Sequence, residues 1–210
     1  MATEFVALLA RLLTRRGNRV GALLYGSSVD TVIPAKSGRR HLLQILHRMQ
    51  SRPAAPATGE TKLADLLQAG ANAMSRRSVV FVVSDFISAP GWPKYLGQLA
   101  MRHEVVAVRL HDPLESDLPD LGLLLFRDAE TGEQLFVDTH DKGFRKRFAS
   151  VAERRERELR LALSRAGVDC LELATDGDLV DALMRFADLR KRRSRLAAGG
   201  SLPKHLEKVA

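Results

Sequence analysis

The segment Ser78–Ser84 reads SVVFVVS, four valines and one phenylalanine without a polar interruption. Branched and aromatic side chains at every position favour extended backbone on a pleated surface. The absence of polar alternation predicts a central strand covered on both faces, as in a parallel sheet. Parallel strands are joined by crossovers that place helices over the sheet, so this run directs the chain to the α/β class.

The rest of the chain alternates accordingly. Thr3–Glu4 reads as a helix start, followed by the stripe Phe5, Leu8, Leu9, Leu12 and Leu13 and closed by Arg15–Arg16–Gly17. Arg19–Tyr25 predicts a strand, and Val29–Pro34 an edge strand that meets a proline. Arg39–Gln50 reads as a helix with Leu42, Leu43, Ile45 and Leu46 inward. Ser51–Gly59 is a Pro/Ala/Gly loop, and Thr61–Met74 a helix burying Leu63, Leu66, Leu67 and Ala71. Trp92–Met101 is a short helix and Glu104–Leu110 the next strand. Leu121–Arg127 and Gln134–Asp138, separated by a turn at Ala129–Gly132, read as an inserted hairpin. Lys142–Arg165 is a long charged helix with Glu153–Arg157 and Glu156–Arg160 at i,i+4 on a solvated face. Val168–Leu173 is the last strand, carrying a core Cys170, and Asp176 caps a helix over Asp178–Arg190.

One element is absent from this pattern. The first apolar helix is of the crossover kind, yet no strand precedes it.

Charge distribution narrows the function. The chain of 210 residues has a formal charge of +8, but eight basic and two acidic residues lie from Arg185 onward, leaving the preceding 184 residues at only +2. The basicity therefore belongs to the C-terminal segment, where Arg190–Arg195 (RKRRSR) reads either as a solvated helix end or as a phosphate-binding or acidic-surface contact. No aromatic follows Leu189, so stacking on single-stranded bases is not expected and nucleic acid is an alternative partner only. A single cysteine fits a reducing compartment, no apolar run approaches the roughly 20 residues of a bilayer span, and no signal peptide opens the chain. A cytoplasmic protein without membrane insertion is expected.

Ligands of open α/β sheets sit beyond the C-terminal ends of the strands. Asp85 stands there after Ser84, His111 and Asp112 stand at the end of the following strand, and Thr61 begins a helix. Asp85 is either a loop cap accepting from amides of residues 87–88 or a ligand to a cation. Thr61 is either an N-cap or a ligand. Carboxylate and hydroxyl oxygens together would select Mg²⁺ or Mn²⁺. A hydrolase built on Ser84, His111 and Asp112 is the less favoured alternative, because Ser84 lies within a strand and lacks the glycine-flanked elbow. No phosphate-binding glycine loop is present.

Taken together, Arg19–Gly26 (RVGALLYG), Gly59–Leu63 (GETKL), Val82–Phe86 (VVSDF), His111–Glu115 (HDPLE) and Asp128–Thr139 (DAETGEQLFVDT) resemble the von Willebrand factor A-like domains of the domain-of-unknown-function 58 family. The resemblance covers about residues 1–190, leaving 191–210 as a basic, flexible tail. It implies a three-layer Rossmann-like von Willebrand factor A-type sheet with an inserted hairpin. It also implies a non-enzymatic interaction module that works with a MoxR-type AAA+ ATPase in assembly or maturation of a client protein. His111, Asp112 and Glu115 are then the partner-binding residues.

Thr61 and Asp85 match two positions of the family's metal-ion-dependent adhesion site, whose Asp-x-Ser-x-Ser element has no counterpart here. The site is thus expected to be incomplete, with Mg²⁺ or Mn²⁺ held tightly only in a longer form. The missing element belongs with the family's first, central strand. Met1 is accordingly expected to be internal to a longer protein, and the sheet to be interrupted or the chain poorly soluble.

Overall fold

The computed structural model describes residues 1–26, 28–51, 62–127 and 134–197. Its elements follow in the order α1 (Ala2–Arg15), β1 (Val20–Tyr25), β2 (Val29–Lys36), α2 (Arg39–Gln50), α3 (Leu63–Ala73), β3 (Val79–Ser84), α4 (Trp92–Arg102) and β4 (Glu104–His111). A short 3-10 turn at Pro113–Glu115 leads to β5 (Leu123–Arg127), β6 (Gln134–Asp138), α5 (Lys142–Ala166), β7 (Asp169–Ala174) and α6 (Leu179–Ala197). The α/β reading from alternation therefore holds. The predicted loop within Ser51–Gly59, the hairpin turn and residues 198–210 fall largely or wholly outside the described residues.

The central strand is β4, with β3 and β7 parallel to it on either side. Val105, Val106, Ala107 and Val108 are all buried, and alternate side chains feed opposite layers. Val105 and Ala107 enter a core with α3, α4 and α5, through Leu63, Leu67, Leu96, Leu99 and Leu163. Val106 and Val108 enter a second core beneath α1 and α6, with Phe5, Leu171 and Leu173. This is the three-layer arrangement that an apolar run on a parallel strand requires.

The sheet is interrupted. β1 and β2 form a separate antiparallel pair, and among the described residues β3 pairs only with β4. Two helices span the break. Below it, α1 touches β1 while its Phe5 packs edge-on to Phe81 of β3, ring centroids 6.3 Å apart. Above it, α3 touches β1 and β2 and buries Leu63 and Leu67 in the core that contains Val82.

The expected burial of Ser78–Ser84 on both faces is corrected: only Val82 of β3 is buried, and Val79 is half exposed. No residue of β1 is fully buried either, although five of its six residues are apolar or aromatic and the sixth is glycine. An apolar strand at an open edge lacks the second neighbour that would complete its cover.

Local chemistry explains other departures. In α2 the inward positions are His41 and Ile45, with Leu43 exposed, because His41 Nε2 meets the Val20 carbonyl at 2.8 Å and ties α2 to β1. Gly21 is required by the β1–β2 register, since a Cβ there would lie 2.8 Å from the Ile33 carbonyl oxygen. The cap of α6 is Asp178 rather than Asp176, accepting from the Val180 and Asp181 amides at 2.7 and 3.0 Å. The helix then continues to Ala197, past the Arg190 expected as its end, so Arg190–Arg195 is helical.

Backbone amides along the open edges of β1 and β3 should exchange with solvent deuterium at least about a hundredfold faster than those of β4. Residue-resolved hydrogen exchange measures this, and equal protection of β3 and β4 would contradict an open edge.

Candidate functional site

The polar residues expected at the strand ends are all used, first of all, to shape loops. After β3, the Ser84 hydroxyl accepts from the Phe86 amide at 3.0 Å and donates to Asp85 Oδ1 at 3.3 Å. Asp85 Oδ1 also accepts from the Ile87 amide at 2.9 Å, which is the loop-cap alternative for this carboxylate. These bonds hold Phe86 at φ 61°, a left-handed conformation that costs a non-glycine residue roughly 1–2 kcal/mol. Burial of the Phe86 ring against Trp92, centroids 5.4 Å apart, offsets that cost. Ser88 Oγ accepts from the Leu63 amide at 2.8 Å, joining the loop to the start of α3. The Asp85 carboxylate is left exposed on a constrained turn.

The loop after β4 follows the same logic. Asp112 Oδ1 accepts from the Leu114 amide at 2.9 Å and caps the 3-10 turn, while Oδ2 accepts from Thr175 Oγ1 at 2.9 Å after β7. Glu115 is exposed at the end of that turn, and His111 is partly covered. His111 Nδ1 is buried without a hydrogen-bond partner among the described residues. His111 thus ends β4, and Asp85, Asp112 and Glu115 lie on the loops at the C-terminal ends of the adjacent parallel strands β3 and β4. Ser84 stands opposite Arg109, two residues before His111, and its hydroxyl is engaged with its own loop.

Thr61 lies outside the described residues. Among the described residues no three His, Cys, Asp or Glu side chains group to hold a metal. Of the two ligands expected, the described residues include Asp85 alone, and a single carboxylate whose Oδ1 already accepts from the Ile87 amide is not by itself a cation site.

Sequence reasoning missed the polar network inside the sheet. Arg109 points from β4 toward α5, where its Nη1 pairs with Glu156 Oε2 and lies 3.8 Å from Glu172 Oε1 of β7. Arg160 Nε contacts Glu156 Oε1 at 2.6 Å. The Arg109 and Glu156 side chains are only 15% and 25% exposed, so Glu156 is not on the solvated face expected of it. Burial pushes the Glu156 carboxyl upward, but hydrogen bonds and charge from Arg109 and Arg160 outweigh it and hold the group below its ordinary range. The i,i+4 spacing revealed the Arg160 partner; the Arg109 partner is 47 residues away and left no local signal.

The hairpin is anchored by a second network. Thr139 is fully buried, its hydroxyl donating to the Gly122 carbonyl at 2.7 Å and accepting from the Leu121 amide at 2.9 Å. Asp120 pairs with His140 and with Arg145 of α5 at 3.2 Å, and Arg145 also donates to the Thr139 carbonyl.

Comparison with known proteins places this geometry. The family described as "Protein of unknown function DUF58" matches residues 1–158. Uncharacterized proteins of Mycobacterium bovis and Mycobacterium tuberculosis are each 32% identical over 192 residues, which is 91% of this chain and 60% of theirs. The chain thus spans about 60% of the length of those relatives. An uncharacterized protein of Mycobacterium avium is 33% identical over 162 residues, 77% of this chain and 95% of that protein. Two solved structures share the fold at 13% identity. They are the conserved hypothetical protein BatB from Bacteroides thetaiotaomicron, with a TM-score of 0.54 over 90% of this chain and 85% of that one, and an aerotolerance-related membrane protein from Bacteroides fragilis, with a TM-score of 0.55 over 90% and 87%. Among the described residues of this chain, no helix is long and apolar enough to cross a membrane.

Arg109→Met should destabilise the protein by about 1–3 kcal/mol, because it leaves the largely buried Glu156 carboxylate with Arg160 as its remaining cation. Arg109→Met combined with Glu156→Leu should recover part of that loss. Since folding depresses the Glu156 pKa, its contribution is complete above the ordinary value of 4.5 and lost as pH falls through the folded value. Urea unfolding of the Arg109→Met variant should accordingly show a shallower acid dependence; an unchanged profile would assign the acid sensitivity elsewhere.

Proposed function

The chain belongs to the family of unknown function DUF58, and we propose that it is a non-enzymatic protein-interaction module that docks a partner through its strand-end face. The observation that carries this reading is the division of labour in the Asp85 and Asp112 side chains. Each uses oxygens to fix its own loop, at 2.9 Å to the amide two residues ahead, and the loops so fixed present Asp85 and Glu115 outward. A rigid loop loses little conformational entropy on binding, which favours recognition of a preformed surface. Support for a binding role rather than turnover comes from Ser84, whose hydroxyl is spent on the Phe86 amide and Asp85, and from Asp112, which is spent on Leu114 and Thr175.

The partner implied by the family resemblance is a MoxR-type AAA+ ATPase, acting with this module on the assembly or maturation of a client protein. Docking rests on the loop carboxylates themselves and on His111, Asp112 and Glu115, with no step through a metal. Asp85→Asn keeps an oxygen to accept from the Ile87 amide but removes the charge, so it separates recognition from loop shape. Titration calorimetry of the chain with a purified MoxR-type ATPase of the same organism tests the reading. Asp85→Asn and Glu115→Lys should each weaken binding by at least about tenfold, near 1.4 kcal/mol, without lowering thermal stability. Unchanged affinity in both would overturn the surface assignment. Removal of residues after Asp188 should leave the affinity unaltered, and its loss would move recognition to the basic segment.

Calorimetric titration of the isolated chain with Mg²⁺ or Mn²⁺ should yield no micromolar binding; a micromolar site would restore the metal to the mechanism.

A further inference from the structure

The turns that join α1 to β1 and β2 to α2 bring six cations to one end of these four elements. Asn18 donates through its amide and its side chain to the Leu13 carbonyl, both at 3.2 Å, which closes α1 beside Arg15 and Arg16. Arg19 Nε donates to the Ala35 carbonyl at 3.0 Å, and the next residue, Val20, is paired with Lys36. His41 Nε2 meets the Val20 carbonyl at 2.8 Å, so Arg39 and Arg40 at the start of α2 stand over the same strand end. Arg15, Arg16, Arg19, Lys36, Arg39 and Arg40 are all exposed, and none is in an ion pair among the described residues.

The carboxylates of these elements, Glu4 and Asp30, lie at the opposite end. Glu4 is in the first turn of α1, 3.3 Å from the Met1 amino group and about 16 Å along the helix axis from Arg15. Asp30 follows Val29, which pairs with Tyr25 at the far end of β1, about 20 Å of strand from Lys36. Stability alone would not put Arg39 and Arg40 where they are. The first turn of a helix is the positive end of its dipole, and this one has no acidic residue and no side-chain cap. An apolar feature accompanies the charge. Leu12 stands one turn before Arg15 and Arg16, and Leu43 one turn after Arg39 and Arg40, on the same helix faces as those arginines. The two leucines are 50% and 55% exposed, and their helices pack together over β1.

We propose that this end of α1, β1, β2 and α2 seats the chain peripherally on an anionic phospholipid surface. A bilayer presents phosphates in a plane over an apolar layer, so cations and leucines on separate elements meet their partners at once without a matched register. The six cations face the headgroups, and Leu12 and Leu43 enter the acyl boundary. A nucleic acid would engage the cations and leave the leucines without a role, and none of these residues is aromatic for stacking on bases. A second copy joined here by a two-fold axis would oppose cation to cation. The surface is separate from the loops that carry Asp85 and Glu115, so its test does not depend on their assignment.

Cosedimentation with vesicles tests this. The chain should partition at least about tenfold more strongly onto equimolar phosphatidylglycerol and phosphatidylcholine than onto phosphatidylcholine alone, and less as salt rises from about 0.05 to about 0.5 M. Arg15→Glu with Arg16→Glu should lower the partition at least about tenfold. Arg39→Glu with Arg40→Glu should do the same while raising the melting temperature, because acid at the start of α2 complements the dipole; this pair keeps the test valid if the first melts early. Leu12→Ser with Leu43→Ser should lower the partition at least about fivefold. Arg192→Glu with Arg193→Glu in α6, an equal change of net charge, should lower it less than about twofold, and Asp85→Asn should partition like wild type. Equal partition onto phosphatidylcholine alone, full partition of the Arg39 and Arg40 pair or of the leucine pair, or an equal loss in the α6 pair would each overturn the proposal. So would binding of duplex DNA that both arginine pairs abolish and the leucine pair leaves intact, which would make the partner a nucleic acid.

Discussion

Burial of β4 on both faces is the constraint on which the other elements depend. Val105 and Ala107 serve one core, Val106 and Val108 the other, so both helical layers are registered to a single strand. Each fully buried valine contributes roughly 1.5 kcal/mol or more of apolar burial. The same strand fixes its neighbours residue by residue, Val79–Ser84 against Glu104–Arg109 and Asp169–Ala174 against Val106–His111. It also sets the site, because the loops that leave β3, β4 and β7 emerge side by side and bond across, as Thr175 does to Asp112. Where the strand leaves the apolar core, Arg109 is tolerated because Glu156 comes down from α5 to meet it. One long helix is thereby fastened to the sheet by charge at one point and by Leu163 at another.

The interruption beside β3 shifts the load to helices. A continuous sheet would join β1 to β3 through a ladder of backbone hydrogen bonds. Here the two pieces are joined by α1 below, through Phe5 on Phe81, and by α3 above, through Leu63 and Leu67. Side-chain packing of this kind holds two sheet fragments together without satisfying the backbone groups along their facing edges. That is why β1 and β3, though composed largely of apolar residues, are less buried than β4.

Most of the fold was legible because its signals are local. Apolar runs gave the strands, and the 3.6-residue stripes gave the helices. Burial within those elements was less legible. SVVFVVS predicts a covered strand, yet cover depends on a neighbour that the run itself does not encode. Leu43 and His41 exchanged places because a histidine two residues earlier found the Val20 carbonyl, a contact 21 residues away. At the site, Asp85 and Asp112 could be located by their positions at strand ends, and the Asp85 spacing already allowed the loop cap to which the Ile87 amide donates. Phe86 gave no sign of its left-handed backbone, since glycine is the residue that usually marks one. Net charge misled by addition: acidic residues 111–141 and basic α5 cancel in a total, and they meet directly where Asp120 pairs with Arg145 and Asp141 with Arg147.

Phe86 shows how the site and the core constrain each other. A non-glycine residue at φ 61° persists only if its surroundings over-determine it, and three independent contacts do so. Ser84 takes its amide, Asp85 takes the next amide, and the ring is locked beside Trp92 at the start of α4. Loosening any one of them releases strain into the other two, so the loop behaves as a unit rather than as a set of residues. The direction of the Asp85 carboxylate is consequently set by the packing of an aromatic pair within the upper core. A surface whose charges are aimed in this way is suited to a partner of fixed shape.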